Sequence, residues 1–204
     1  MVNLILLEGR YADMLYERGF DLVWRRKQEV IAEPVFKALP ELQQAIAPKI
    51  LHLGASQAPL LLDFISRHIF LLKAVAADRP EEIPILKFLV RTLSAGFQLE
   101  AFEEELPFAD KEFDFGILTA GREDDPITDW IDPLREVCRT TKTGGLVLLT
   151  RLISPRVTLL DKTILGFEGI NVSWEKIQRT DEGERLFLGG VKGGTEPPHV
   201  DCGR

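Results

Sequence analysis

Hydrophobic and polar positions change rhythm several times along the chain, and each change marks a predicted element. From Tyr11 to Leu39 the apolar residues Val23, Val30, Ile31, Val35, Ala38 and Leu39 recur at helical spacing, with a break near Gly19. Arg25, Arg26 and Lys27 fall largely elsewhere, on the wet side of a helix. Pro40 and Pro48 bracket a connector. Lys49 to Leu53 then reads as a short buried strand running into a turn at Gly54, and Pro59 opens a helix from about Leu60 to Phe70. A second strand, Leu72 to Ala77, ends at Asp78. Ile83, Leu86, Leu89, Val90 and Leu93 make the apolar face of the next helix, and a third strand follows at Phe97 to Phe102. "FDFGILTA", Phe113 to Ala120, is apolar enough to be buried on both faces. Asp125-Pro126 starts a helix whose inner side is Trp130, Leu134, Val137 and Cys138. Thr143-Gly144-Gly145 closes that segment before a fifth strand, Leu146 to Ile153. A helix from Val157 to Leu165 precedes "INVSWEKIQ" and "LFLGGVKG", two strands with a polar, glycine-containing connection that reads as a hairpin.

Alternating strands and helices predict an α/β fold, a Rossmann-like parallel sheet wrapped by helices on both faces. The closing hairpin makes it a seven-stranded, mostly parallel sheet with an antiparallel end. The predicted organisation is an N-terminal helical cap at 1–48, an α/β core at 49–194 and a tail at 195–204. The length of 204 residues suits one well-buried core. A formal net charge of −7 argues against a broad grip on nucleic acid or anionic lipid. The apolar run Leu4 to Leu7 is too short for a signal peptide or a membrane span, so a cytoplasmic location is expected. Cys138 and Cys202 are far apart and form no CxxC pair, which fits a reducing compartment and provides no zinc site. "HVDC", His199 to Cys202, reads as a frayed tail.

Two passages carry a resemblance. "LPFADKEFDFGIL", Leu106 to Leu118, resembles the "LPF-x-D-x-x-FD" passage into the fourth strand of class I S-adenosylmethionine-dependent methyltransferases of the small-molecule, type 11-like kind. "PLREVCRTTKTGGLVLL", Pro133 to Leu149, is similar to that family's "LREhxRhLKPGGxhhh", with Thr143 in place of proline. With the final hairpin, the likeness covers roughly residues 49 to 193. It implies S-adenosylmethionine as cofactor, a small-molecule acceptor, and direct in-line methyl transfer. A homodimer or a partner protein is compatible with it.

The family's first motif, "hLDhGxGxG", falls on Leu51 to Ala58. Here His52 replaces the acid, Ser56 the second glycine and Ala58 the third. Small residues at Gly54, Ala55 and Ser56 let the backbone bend and approach a ligand. His52, alone in an apolar strand, reads as a hydrogen-bonded core residue. Twenty residues beyond Ala58, Asp78 takes the place of the family's ribose-binding acid. It also suits the cap of a helix beginning near Pro80. The family often has an acid near the adenine amino group about four residues before "LPF". That position here is Phe102, which either stacks on adenine or packs in the core, with Glu103 beside it as a further cofactor-binding candidate. Thr119, Arg122, Glu123 and Asp124 line an acceptor site or form a solvated loop. No residue is identified as catalytic. The departures at His52, Ser56, Ala58 and Phe102 leave a second reading, a catalytically inactive methyltransferase-fold scaffold or partner subunit. A nicotinamide-dependent oxidoreductase fits less well, because GxGxxG is absent and the hairpin is foreign to that architecture.

Overall fold

A computed structural model describes residues 48–57, 73–92, 96–120, 128–153, 158–180 and 183–193. The expected cap at 1–48, except Pro48, lies outside the described residues. So do the helix at 60–70, Ala58, Arg122 to Asp124, the Asp125-Pro126 helix start and the tail at 195–204. The predicted strands all form. They are β1 (Lys49–Leu53), β2 (Lys73–Asp78), β3 (Phe97–Ala101), β4 (Phe113–Thr119), β5 (Thr141–Ile153), β6 (Ile170–Thr180) and β7 (Gly183–Lys192). Among the described residues the helices are α1 (Ile83–Thr92), α2 (Thr128–Thr140) and α3 (Thr158–Phe167), with short 3-10 turns at Ala55–Gln57 and Pro80–Glu82.

The seven strands make one sheet in the order β3-β2-β1-β4-β5-β7-β6. β1 pairs in parallel with both β2 and β4, β2 with β3, and β4 with β5. β7 runs antiparallel to β5 and to β6. From β1 the chain builds outward to β3, then returns so that β4 lies on the other side of β1. The strand order therefore reverses between β1 and β4, where open α/β sheets have a crevice beyond their carboxyl ends.

Alternation along the strands sorts the core into two layers. Leu51, Leu53, Val75 and Ala77 join Leu134 and Val137 of α2 in one cluster, together with Val147 and Leu149 of β5. Ala76 faces the other way and meets Leu86 and Val90 of α1. α1 and α2 thus cover opposite faces. In α2 the buried hydrophobic residues are Trp130, Leu134, Val137 and Cys138, the expected stripe. Gly116 of β4 lies under that stripe, and a β-carbon there would stand 2.6 Å from Val137 Cγ1.

One strand boundary differs from the sequence reading. β5 begins at Thr141, not Leu146: Phe113 pairs with Thr141, and after an irregularity Phe115 pairs with Leu146. The glycines sit within that irregularity and do not end a segment. Gly144 has φ +79, and a β-carbon on Gly145 would lie 2.9 Å from the Asp114 carbonyl oxygen. Lys142 Nζ bonds Asp114 Oδ1 across the bulge at 2.5 Å.

The two passages singled out in the sequence, Leu106–Leu118 and Pro133–Leu149, meet in space. Arg139 donates from Nη2 to the Leu106 carbonyl (3.1 Å), and from Nη1 to the Phe108 carbonyl (2.9 Å) and to Asp110 (2.8 Å). Glu136 accepts from Arg139 and from the Leu106 N–H at 2.8 Å. At the far end of α2, buried Lys192 donates to the carbonyls of Cys138 and Thr141, tying the helix terminus to β7. Burial pushes the Cys138 thiol up to about 12, so it is inert at neutral pH. Lys192→Met leaves two carbonyls without their donor and is expected to lower stability by roughly 2 kcal/mol, read from urea unfolding midpoints.

Candidate functional site

Gly54 ends β1 with φ +75, a conformation open to glycine without strain. A β-carbon there would lie 2.0 Å from the Thr119 carbonyl oxygen, so the turn passes directly over the end of β4. The Gly54 N–H donates to the Ala77 carbonyl at 2.9 Å. Ala55 is fully buried beside Ala76 and Leu86. The Ser56 N–H donates to Asp78 Oδ2 at 2.9 Å, and its hydroxyl reaches Glu82 at 3.4 Å. The other Asp78 oxygen accepts from the Arg79 N–H at 2.9 Å.

Asp78 therefore joins the β1 turn to the end of β2. The helix-capping alternative is not what the geometry shows: the 3-10 turn at Pro80–Glu82 has Arg79 at its N-cap position and no side-chain cap bond. Asp78 is 3% exposed, and burial raises its pKa, against the lowering effect of the bonds from Ser56 and Arg79.

Beneath the turn, His52 Nε2 and Thr119 Oγ1 are 2.9 Å apart, bridging β1 to β4. Both residues are buried. Burial lowers the His52 pKa to about 3, so the ring is neutral throughout the physiological range. The core-residue expectation for His52 holds, with its partner now identified. Position 52 carries no charge of either sign.

A cavity of about 710 Å³ opens beyond β2 and β3. Its walls include Arg79 and Pro80 after β2, Phe102 and Glu103 after β3, and Pro133 and Glu136 of α2. Phe102 is 6% exposed and belongs to the core cluster, as the packing alternative expected, and it also borders the cavity. Its N–H donates to the Asp78 carbonyl at 2.8 Å, coupling the cavity wall to the aspartate.

The predicted residues thus fall in two adjoining groups. Gly54, Ala55, Ser56 and Asp78 form the turn, with Thr119 below it, while Phe102 and Glu103 form a cavity wall. Arg79, Pro133 and Glu136 were missed. Arg79 follows Asp78 directly and was within reach of the motif. Pro133 and Glu136 belong to a helix that sequence periodicity reports only through its buried stripe. Among the described residues, no group of histidine, cysteine and acidic side chains is arranged to hold a metal ion. No helix among them is long and apolar enough to cross a membrane.

No family model matches the sequence, and no curated protein matches it. Solved structures do share its fold. A SAM dependent methyltransferase from Aquifex aeolicus superposes with a TM-score of 0.55 at 18% identity, covering 82% of this chain and 98% of its own. SAM-dependent methyltransferases from Methanosarcina mazei are represented by a structure with a TM-score of 0.54 at 16% identity, covering 76% and 97%. A Pyrococcus horikoshii OT3 protein reaches 0.63 at 13% identity, covering 84% and 92%. The likeness is one of fold.

Two expectations follow from the turn. Gly54→Ala adds both left-handed strain and a clash with a backbone oxygen, and stability falls by about 3 kcal/mol or more in urea unfolding. His52 has a folded pKa of about 3, below its ordinary 6.5. Its neutral form is the one that the fold holds, so stability is full above pH 6.5 and is lost as pH falls toward 3. Relative to His52→Gln, the natural protein loses roughly 4 kcal/mol across that window, measured by paired unfolding curves at each pH.

Proposed function

We propose that the chain is an S-adenosylmethionine-dependent methyltransferase that acts on a small molecule by direct in-line transfer. The observation that carries this reading is the junction of the β1 turn with Asp78, beside the point where strand order reverses and next to a cavity of ligand size. Its volume of about 710 Å³ falls within the range usual for small-molecule sites, on the order of 300–1,000 Å³. The shared fold with methyltransferases of known structure supports the same reading.

The residues present fit the cofactor. A carboxylate has about four acceptor positions. Asp78 uses one on each oxygen for the Ser56 and Arg79 N–H groups, and the remaining positions, for which the Ser56 hydroxyl competes, are those that ribose hydroxyls would take. Gly54, Ala55 and Ser56 offer backbone without bulky side chains. Phe102 flanks the adenine, and Glu103 accepts from its amino group. Thr119 shapes the floor through its carbonyl, since its hydroxyl is engaged with His52. When bound, the cofactor supplies an electrophilic methyl group on a sulfonium. The protein's work is then positioning and exclusion of water, which such a displacement chiefly requires. In this reading residues 49–194 form the catalytic core, with 1–48 as its cap.

The engagement of both Asp78 oxygens, together with the neutral His52, favours a second reading, that of a non-catalytic protein retaining the fold. Isothermal titration calorimetry separates the two. The enzyme reading expects S-adenosylmethionine and S-adenosylhomocysteine to bind with a Kd on the order of micromolar. Asp78→Ala is expected to weaken both by about tenfold or more while the protein remains folded by circular dichroism. Absence of heat with either ligand on folded natural protein leaves only the scaffold.

A further inference from the structure

A second group of polar atoms lies at the carboxyl edge of the sheet, apart from the β1 turn. Arg151 is third from the end of β5, Trp130 is the third residue of α2, and Asp161 lies in the first turn of α3. Their exposures are 5%, 2% and 0%. Arg151 Nη1 stands 3.6 Å from Asp161 Oδ1, too far for a hydrogen bond. The guanidinium carbon lies 5.1 Å from the centre of the Trp130 ring, a cation–π contact.

Four polar atoms of this group lack partners. Arg151 Nε, Trp130 Nε1 and both Asp161 oxygens are buried without a hydrogen bond. Native proteins keep few such groups, because each is destabilising. Here four atoms on three separate elements gather at the edge where open α/β sheets take their ligands. Two are N–H donors and two are acceptors. The Arg151–Asp161 pair has no net charge, so an ionic ligand would bring in a buried charge with no counterpart. A flat guanidinium lying over an indole ring suits a flat guest.

We infer that Arg151, Trp130 and Asp161 recognise the methyl acceptor, and that it presents a neutral planar group with adjacent donor and acceptor, such as a cyclic amide, a ureide or the edge of a nitrogen heterocycle. The role of this ligand as methyl acceptor rests on the methyltransferase reading; the binding chemistry does not.

The test uses 2-pyridone, a cyclic amide, against N-methyl-2-pyridone, which lacks the N–H. Both are titrated into the full-length ¹⁵N-labelled protein. The readouts are the Trp130 indole N–H and Arg151 Nε–H resonances. 2-Pyridone is expected to shift both saturably, and the N-methyl compound to bind about tenfold more weakly or worse, as one unpaired buried group demands. Arg151→Met/Asp161→Leu fills the same space with apolar side chains and is expected to fold but to lose the response. Should it fail to fold, Asp161→Asn must lose it instead. Absence of saturable shifts, equal binding of the two compounds, or a response surviving in the variants overturns the proposal. If calorimetry finds no cofactor binding while 2-pyridone still binds here, the methyltransferase reading fails and this recognition site stands. If the cofactor binds and 2-pyridone does not, the recognition site alone fails.

Discussion

The passage of the Gly54 backbone over the Thr119 carbonyl governs the geometry of this molecule's binding edge. Only a residue without a β-carbon can end β1 there, since any side chain would start 2.0 Å from that oxygen. Once the chain turns at that point, the Ser56 N–H faces β2 and finds Asp78. Asp78 in turn holds the Arg79 N–H, and its carbonyl receives the Phe102 N–H. A steric constraint at one glycine is thereby passed on through backbone hydrogen bonds to the wall of a cavity two strands away.

A second constraint fixes the opposite wall. Arg139 and Glu136 grip the segment from Leu106 to Asp110 with charge-assisted bonds, which are worth more than neutral ones. The segment leads from β3 into β4, so the grip sets where β4 enters the sheet. The guanidinium is held firmly protonated by its Glu136 and Asp110 neighbours. The two passages on which the sequence reading rested its methyltransferase resemblance contain the residues that perform this structural work. For that reason the resemblance specifies architecture better than it specifies activity.

Polar groups at the carboxyl edge divide by how completely they are satisfied. His52 is neutral and bonded at Nε2, although its buried Nδ1 has no partner. Asp78 is bonded on both oxygens. Arg151, Asp161 and Trp130 are not so provided for, although they are equally buried. In Asp161 burial raises the carboxyl to about 6 even beside an arginine, which shows how little else stabilises its charge.

The strands and the buried stripe of α2 were legible in the sequence, because periods of two and of 3.6 residues are local properties that each segment carries by itself. The likeness at Leu106–Leu118 and Pro133–Leu149 extended this to the hairpin and the sheet. Asp78 was identifiable by its place at a strand end, and Gly54 by its chemistry. What the sequence withheld depends on groups far apart in the chain. The start of β5 at Thr141 is decided by its pairing with Phe113, against the local signal of two glycines. The state of His52 is decided by burial next to Thr119, 67 residues away. The meeting of Arg151, Asp161 and Trp130 has no local signature at all, since three elements bring one residue each. Periodicity determines what a segment buries; only the packed sheet determines which buried polar groups face one another.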